Sequence, residues 1–327
     1  MTFSALPRIG LGCWAIGGPF FDTQGRALGW GEVSEGDALE TLAAAHDGGV
    51  RLFDTAAVYG AGRSERLVGR FARSRSDVTI VTKVGLAFDE ETKVVPGMAV
   101  SGAEIADEIE RSRTRLERDV IDCVLLHANA LPPEKAEPAF DAMEAARAKG
   151  HIRCFGWSTD FPDHARALAG RVGFEAVEHA QNVFEDVPTM RATLGEAGLT
   201  PLLRSPLAMG VLSGKFDAAS RLGTDDVRSS SGQWKSYLDG DRIDTGYLER
   251  IAAIRELLET DGATAAQGAL RWCLARSDRA IALPGARNAR QAGENAAAIS
   301  LGPLPHGVME EIERLVEREP EGPPRER

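Results

Sequence analysis

The chain has 327 residues, 43% apolar and 27% charged, the balance of a globular protein with enough apolar surface for a large core. Its formal net charge of −11 argues against nucleic acid or an anionic membrane as the main partner, because either would favour a basic face. No apolar run is long enough to span a bilayer, the N-terminus lacks the pattern of a secretory signal, and the four cysteines at 13, 123, 154 and 273 form no CxxC pair, so the chain reads as cytoplasmic with reduced thiols.

Short apolar runs alternate with amphipathic stretches from end to end. Strands are expected at 9–14, 50–54, 78–83, 121–126, 152–157, 176–181, 201–204 and 280–283, each ending in polar or glycine punctuation. Helices are expected between them. Ser34 caps 35–47, Ser101 and Glu104 form a capping box for 102–118, and 134–149 ends at Gly150. Further helical patterns lie at 64–73, 162–169, 189–197, 247–260, 265–276, 289–298 and 305–317. Eight strands with a helix after nearly every one is the count of a single (β/α)8 TIM barrel, here over residues 1–318. A doubly wound sheet is the rival, but the first strand leads into Trp14-Ala15-Ile16-Gly17-Gly18-Pro19, which lacks the GxGxxG turn of that fold. Residues 84–100 and 213–242 break the alternation after barrel strands, where long loops shape a mouth. The tail 319–327, charged and proline-rich, is expected to be disordered.

Side chains at the C-terminal ends of barrel strands converge on one mouth. Those ends carry Asp54, Lys83 and His127, and Tyr59 follows Asp54 by five residues. Only six of the 38 basic residues are lysine, so one inside an apolar strand stands out. Taken singly, Asp54 could cap a turn, Lys83 could snorkel, His127 could be a bonded strand-end histidine and Tyr59 could pack on the rim. Together they describe a proton-transfer site. A lysine ammonium lowers the tyrosine pKa, a carboxylate holds the lysine, and a histidine orients a carbonyl oxygen. That chemistry interconverts C=O and CH–OH. The six histidines show no paired metal-ligand spacing.

Asp54-Thr55-Ala56-Ala57-Val58-Tyr59-Gly60-Ala61-Gly62-Arg63-Ser64-Glu65 resembles the aldo-keto reductase signature DTAxxYGxGxSE, and Val81-Thr82-Lys83 and Leu125-Leu126-His127 match that family's lysine and histidine segments. The resemblance runs from about residue 9 to 299, closest to the bacterial and channel β-subunit-like branches. It implies Asp54, Tyr59, Lys83 and His127 as catalytic residues, Tyr59 being the general acid, and a nicotinamide cofactor lying extended across the mouth. On the same ground Trp14, Ser158, Thr159, Glu178, Arg204, Ser205, Leu207, Gly210, Ser213, Lys215, Gly285, Arg287, Gln291 and Asn295 are implied as cofactor contacts. Thr159 and Glu178 stand where the family has Asn and Gln for the carboxamide, and Arg204 where many members stack a tyrosine on the ring. Arg287 is aimed at a 2′-phosphate, which favours NADP(H) over NAD(H), while Arg290 is read as a solvated helix residue. Phe20, Trp30 and Trp234 are candidate apolar walls of a pocket for a small carbonyl or alcohol substrate. Two other readings stand beside this one: a Schiff-base aldolase using Lys83, and a slow redox-sensing subunit that binds NADP(H).

Overall fold

The structure, a computed structural model, describes residues 3–223, 226–229, 237–318, 321 and 324. All eight expected strands are present: β1 (Leu11–Gly12), β2 (Leu52–Asp54), β3 (Thr79–Val84), β4 (Ile121–Leu126), β5 (Ile152–Ser158), β6 (Phe174–Ala180), β7 (Thr200–Arg204) and β8 (Ile281–Ala282). They pair in parallel in chain order. Bridges from Ile9 to Ala282 and from Gly12 to Gly285 join the last strand to the first. The Gly10 and Gly12 amides donate across that seam to Ala282 O (2.8 Å) and Pro284 O (3.0 Å). The fold is the expected (β/α)8 barrel.

The helices are α1 (Glu35–Asp47), α2 (Arg63–Ala72), α3 (Gly102–Leu116), α4 (Pro133–Ala148), α5 (Pro162–Leu168), α6 (Pro188–Ala197), α7 (Thr245–Leu258), α8 (Ala265–Arg276), α9 (Ala289–Leu301) and α10 (His306–Leu315). Ser34 accepts from the Asp37 amide, and Ser101 and Glu104 make the expected capping box. The third helix stops two residues short of the expected end because Glu117 turns left-handed, at φ 52°.

Two apolar layers follow from the period of two. Outward residues such as Phe53, Val124, Phe155 and Trp157 pack against the helices, while Leu52, Val81, Cys123, Leu125, Cys154, Ala176, Leu202, Ile281 and Leu283 fill the barrel with Phe3. Two residues further along the inward face come Asp54, Lys83, His127, Glu178 and Arg204. The lumen thus changes from apolar to charged at the C-terminal end of the strands. The mouth loops after β1 and β3 also join each other. Phe21–Asp22 pairs with Val94–Val95, and Leu86–Ala87 closes a small ladder with Gly97–Met98.

Most of the tail lies outside the described residues; Glu321, which is described, accepts from the Thr189 amide and hydroxyl. Among the described residues no helix is long and apolar enough to cross a membrane.

Candidate active site

The loop after β2 brings Tyr59 back over the barrel. Gly60 has φ +60°, and a Cβ there would lie 1.9 Å from Gly17 O, so the turn requires glycine. Thr55 Oγ1 donates to Ser64 Oγ (2.8 Å), and Ser64 Oγ donates to Cys13 O (3.2 Å). Glu65 is fully buried. Its carboxylate accepts from Thr82 Oγ1 and Arg115 Nε, both at 2.6 Å, which ties α2 to β3 and α3. The signature residues around Tyr59 therefore fix its loop, and their chemistry is positional.

Lys83 does not snorkel. Its side chain is 0% exposed, and Nζ donates to both Asp54 oxygens at 2.7 Å and to Thr55 O at 3.0 Å. The Tyr59 hydroxyl lies 3.4 Å from the same nitrogen, and Glu178 Oε2 lies 3.2 Å from it. The His127 ring stands edge-on to Tyr59, 6.0 Å between centroids at 87°. Asp54 and Tyr59 meet at the Lys83 ammonium, and His127 stands against the Tyr59 ring.

Their electrostatics differ in one respect from the expectation. The Tyr59 pKa is raised, not lowered: burial dominates, Lys83 opposes it, and Asp54 and Glu178 push it further up. The expectation rests on one carboxylate at the ammonium, and the structure places a second there. Lys83 is raised as well, since Asp54 and Glu178 together outweigh the burial that would lower it. Burial and the Glu178 charge hold Asp54 above the usual carboxylate range. Glu178, although burial pushes it up, is drawn below that range by Lys83, Arg204 and His127. His127 is lowered to about 3 by burial and by Lys83, so at neutral pH it is an uncharged imidazole. Its Nδ1 has no hydrogen-bond partner among the described residues.

The expected cofactor residues spread along the rest of the rim. Trp14 stacks on Tyr59 (6.0 Å, 21°) and donates from Nε1 to Leu28 O. Ser158 points inward and donates to Glu178 Oε1 at 3.2 Å. Thr159, one residue on, faces away. Its hydroxyl donates to Asn129 O (2.7 Å) and neighbours His164 Nδ1, so the strand alternation removes it from the lumen. Arg204 is held by Asp160, the acidic residue after Thr159, at 2.6 Å. Period two past Ser158 would have flagged Asp160, which the sequence reading missed.

After β7 the chain adopts left-handed backbone at Ser205, Ala208, Met209, Gly210 and Gly214, a cradle that Ser213 Oγ closes on Gly210 O at 2.6 Å. Leu207 packs at the edge of the apolar core. Lys215 lies near Arg228, Arg287 and Arg290, whose charges add to burial in lowering its pKa. Arg287 Nη2 donates to Glu32 O, and its amide donates to Gln291 Oε1 at 2.9 Å, while Asn295 Nδ2 reaches Gly285 O at 3.3 Å. Arg290 is exposed and pairs with Glu294.

Arg228 escaped the sequence reading because it sits in an aperiodic loop. It is buried, ion-paired with Asp226, donates to Met209 O at 3.1 Å, and lies over the Trp30 ring at 4.7 Å. Of the expected apolar walls, Phe20 packs beside Tyr59, Trp30 meets Trp14 edge-on and carries Arg228, and Trp234 lies outside the described residues.

An aldo/keto reductase family model matches residues 8–317. The chain is 30% identical over 298 residues to aldo-keto reductase YhdN of Bacillus subtilis, covering 87% of this chain and 82% of that protein. It is 26% identical to the NADH-specific methylglyoxal reductase of Escherichia coli, covering 97% and 98%. The structure of glycerol dehydrogenase AKR11B4 from Gluconobacter oxydans superposes with a TM-score of 0.78 at 26% identity, covering 95% of this chain and 91% of that one. The chain belongs to the aldo/keto reductase family and is an oxidoreductase of that family.

Proposed function

We propose that the protein is an NADP(H)-dependent enzyme that interconverts aldehydes or ketones and alcohols, with Tyr59 as the general acid and base. The observation that carries the reading is the buried contact set of Lys83 Nζ: Asp54 at 2.7 Å and the Tyr59 hydroxyl at 3.4 Å, beside a neutral His127. In reduction, the Tyr59 hydroxyl gives its proton to the substrate oxygen, and Lys83 stabilises the phenolate left behind. His127, uncharged, is suited to donate a hydrogen bond to the same oxygen. Oxidation of an alcohol runs these transfers in reverse.

The residues present fit a dinucleotide across the mouth. The left-handed cradle from Ser205 to Gly214 leaves backbone free to approach a diphosphate closely. The cations Lys215, Arg228 and Arg287 suit a phosphorylated ribose, with Arg290 nearby, and the amides that open α9 suit an anion. At the other end Ser158 is suited to a carboxamide. When bound, the nicotinamide supplies or accepts the hydride. The cluster of cations favours NADP(H), although one relative is named NADH-specific.

The Schiff-base reading of Lys83 loses support from the same geometry. An amine nucleophile must shed its proton, and two carboxylates hold this one as ammonium. A panel of small aldehydes, ketones and alcohols with NADPH/NADP⁺ and NADH/NAD⁺, followed at 340 nm, tests the proposal. Steady turnover with NADPH supports it. Binding with negligible turnover on every carbonyl would favour the redox-sensing reading, and a borohydride-trapped adduct on Lys83 would favour the aldolase.

A further inference from the structure

Lys83 carries one carboxylate more than a tyrosine–lysine–aspartate relay requires. Asp54 already saturates two of its contacts, yet Glu178 Oε2, from another strand, sits 3.2 Å from Nζ, 2% exposed and with no hydrogen-bond donor on that oxygen among the described residues. Glu178 Oε1 accepts from Ser158, so the side chain is fixed toward the ammonium. The position is set by the fold: Glu178 is in register with Ser158 on β5 and Leu202 on β7, two residues beyond the apolar Ala176.

We propose that Glu178 is a positioning residue for the reaction, a second counter-charge on Lys83 that keeps the Tyr59 hydroxyl protonated and so sets the alkaline limit of carbonyl reduction. The inference rests on the reading of Tyr59 as proton donor. Every charged or titratable group facing Glu178 enters the balance. Lys83 from β3, Arg204 from β7, any protonated His127 after β4 and a hydrogen bond with the Asp54 carboxyl of β2 stabilise its charge, and that charge in turn raises Asp54 and the Tyr59 phenol. Cys13 lies behind Asp54 with its thiol pushed up by burial and by that carboxylate, so it stays neutral.

A negative charge beside the phenol disfavours tyrosinate, and one on the ammonium cancels part of the field with which Lys83 would favour it. Both effects have the same sign. An amide in place of Glu178 would keep the shape and the Ser158 contact while removing both effects.

The sign can be measured. In Glu178→Gln, the alkaline limb of kcat/KM for aldehyde reduction is expected to move down by about one pH unit, and the rise of alcohol oxidation to move down with it. Glu178→Asp, which keeps the charge, is expected to leave the limb with the parent. A second readout needs no turnover. In an alkaline titration carried to the highest pH at which both proteins stay folded, the rise of tyrosinate absorbance at 295 nm attributable to Tyr59 is expected at lower pH in Glu178→Gln than in the parent, each read against its own Tyr59→Phe partner. With three tyrosines in the chain, that difference is resolvable.

A limb and an absorbance unmoved in Glu178→Gln overturn the inference, whatever happens to NADPH affinity, and leave Glu178 as a cofactor contact alone. Undiminished turnover in Tyr59→Phe is a different result, and it would overturn both this inference and the function on which it rests.

Discussion

Removing the one ammonium that two carboxylates share has consequences beyond lost turnover. In Lys83→Met, Asp54 and Glu178 are left buried with no cation between them, which costs on the order of 3 kcal/mol at neutral pH. Both carboxyls would then have folded-state pKa values above their unfolded ones, so the variant loses stability as pH rises through the folded values and recovers it in acid. Melting temperatures of parent and variant at pH 5 and pH 8 check the sign: the gap should be wider at pH 8. Any residual reductase activity should also persist to higher pH, since the cation opposing the Tyr59 proton is gone. Arg287 makes a different test. Among the described residues its side chain holds only Glu32 O, and it lies among the cations around Lys215, so Arg287→Ala should weaken NADPH about tenfold and NADH only a few-fold by fluorescence titration. Equal losses would remove it from the phosphate site. Asp54, Tyr59, Lys83 and His127 were legible in the sequence because they sit at strand ends or in a motif contiguous with one. Thr159 was misplaced because a motif match ignores strand parity, and the Tyr59 shift because the second carboxylate comes from a strand 95 residues beyond Lys83.

The element that matters most to the site is the loop between β2 and α2, whose shape depends on contacts to other elements. Gly60→Ala would drive a methyl into Gly17 O, and the loop carrying Tyr59 would have to shift. We expect a stability loss of about 1–3 kcal/mol in urea unfolding, with kcat falling at nearly unchanged NADPH affinity. A variant that melts normally and turns over normally would show that the loop tolerates displacement. Strands and helices were read from the sequence almost in full, because strands buried on both faces give apolar runs and helix starts such as Ser101 carry side-chain caps. The mouth loops were not. The pairing of Phe21–Asp22 with Val94–Val95 joins segments about 70 residues apart with no periodic pattern, and Arg228 owes its burial to Trp30, from a different loop.

At the scale of the whole molecule, the barrel is a scaffold whose apolar filling ends where its charged layer begins. Leu202, fully buried in that filling, lies two residues before Arg204 and in register with Glu178. Leu202→Ala should cost about 2–5 kcal/mol in denaturant unfolding, and a smaller loss would mean that the lumen collapses around the cavity. The charged layer then gives the fold its proposed use: one proton donor, held by one ammonium, facing a neutral imidazole at an enclosed mouth. The measurement that bears on this most directly is single-turnover reduction of a small aldehyde by NADPH-loaded Tyr59→Phe, followed by loss of cofactor fluorescence. The chemical step is expected to slow by about 10²–10⁴-fold, with NADPH affinity within a few-fold of the parent. A Tyr59→Phe protein that keeps most of its single-turnover rate would contradict the role given to Tyr59.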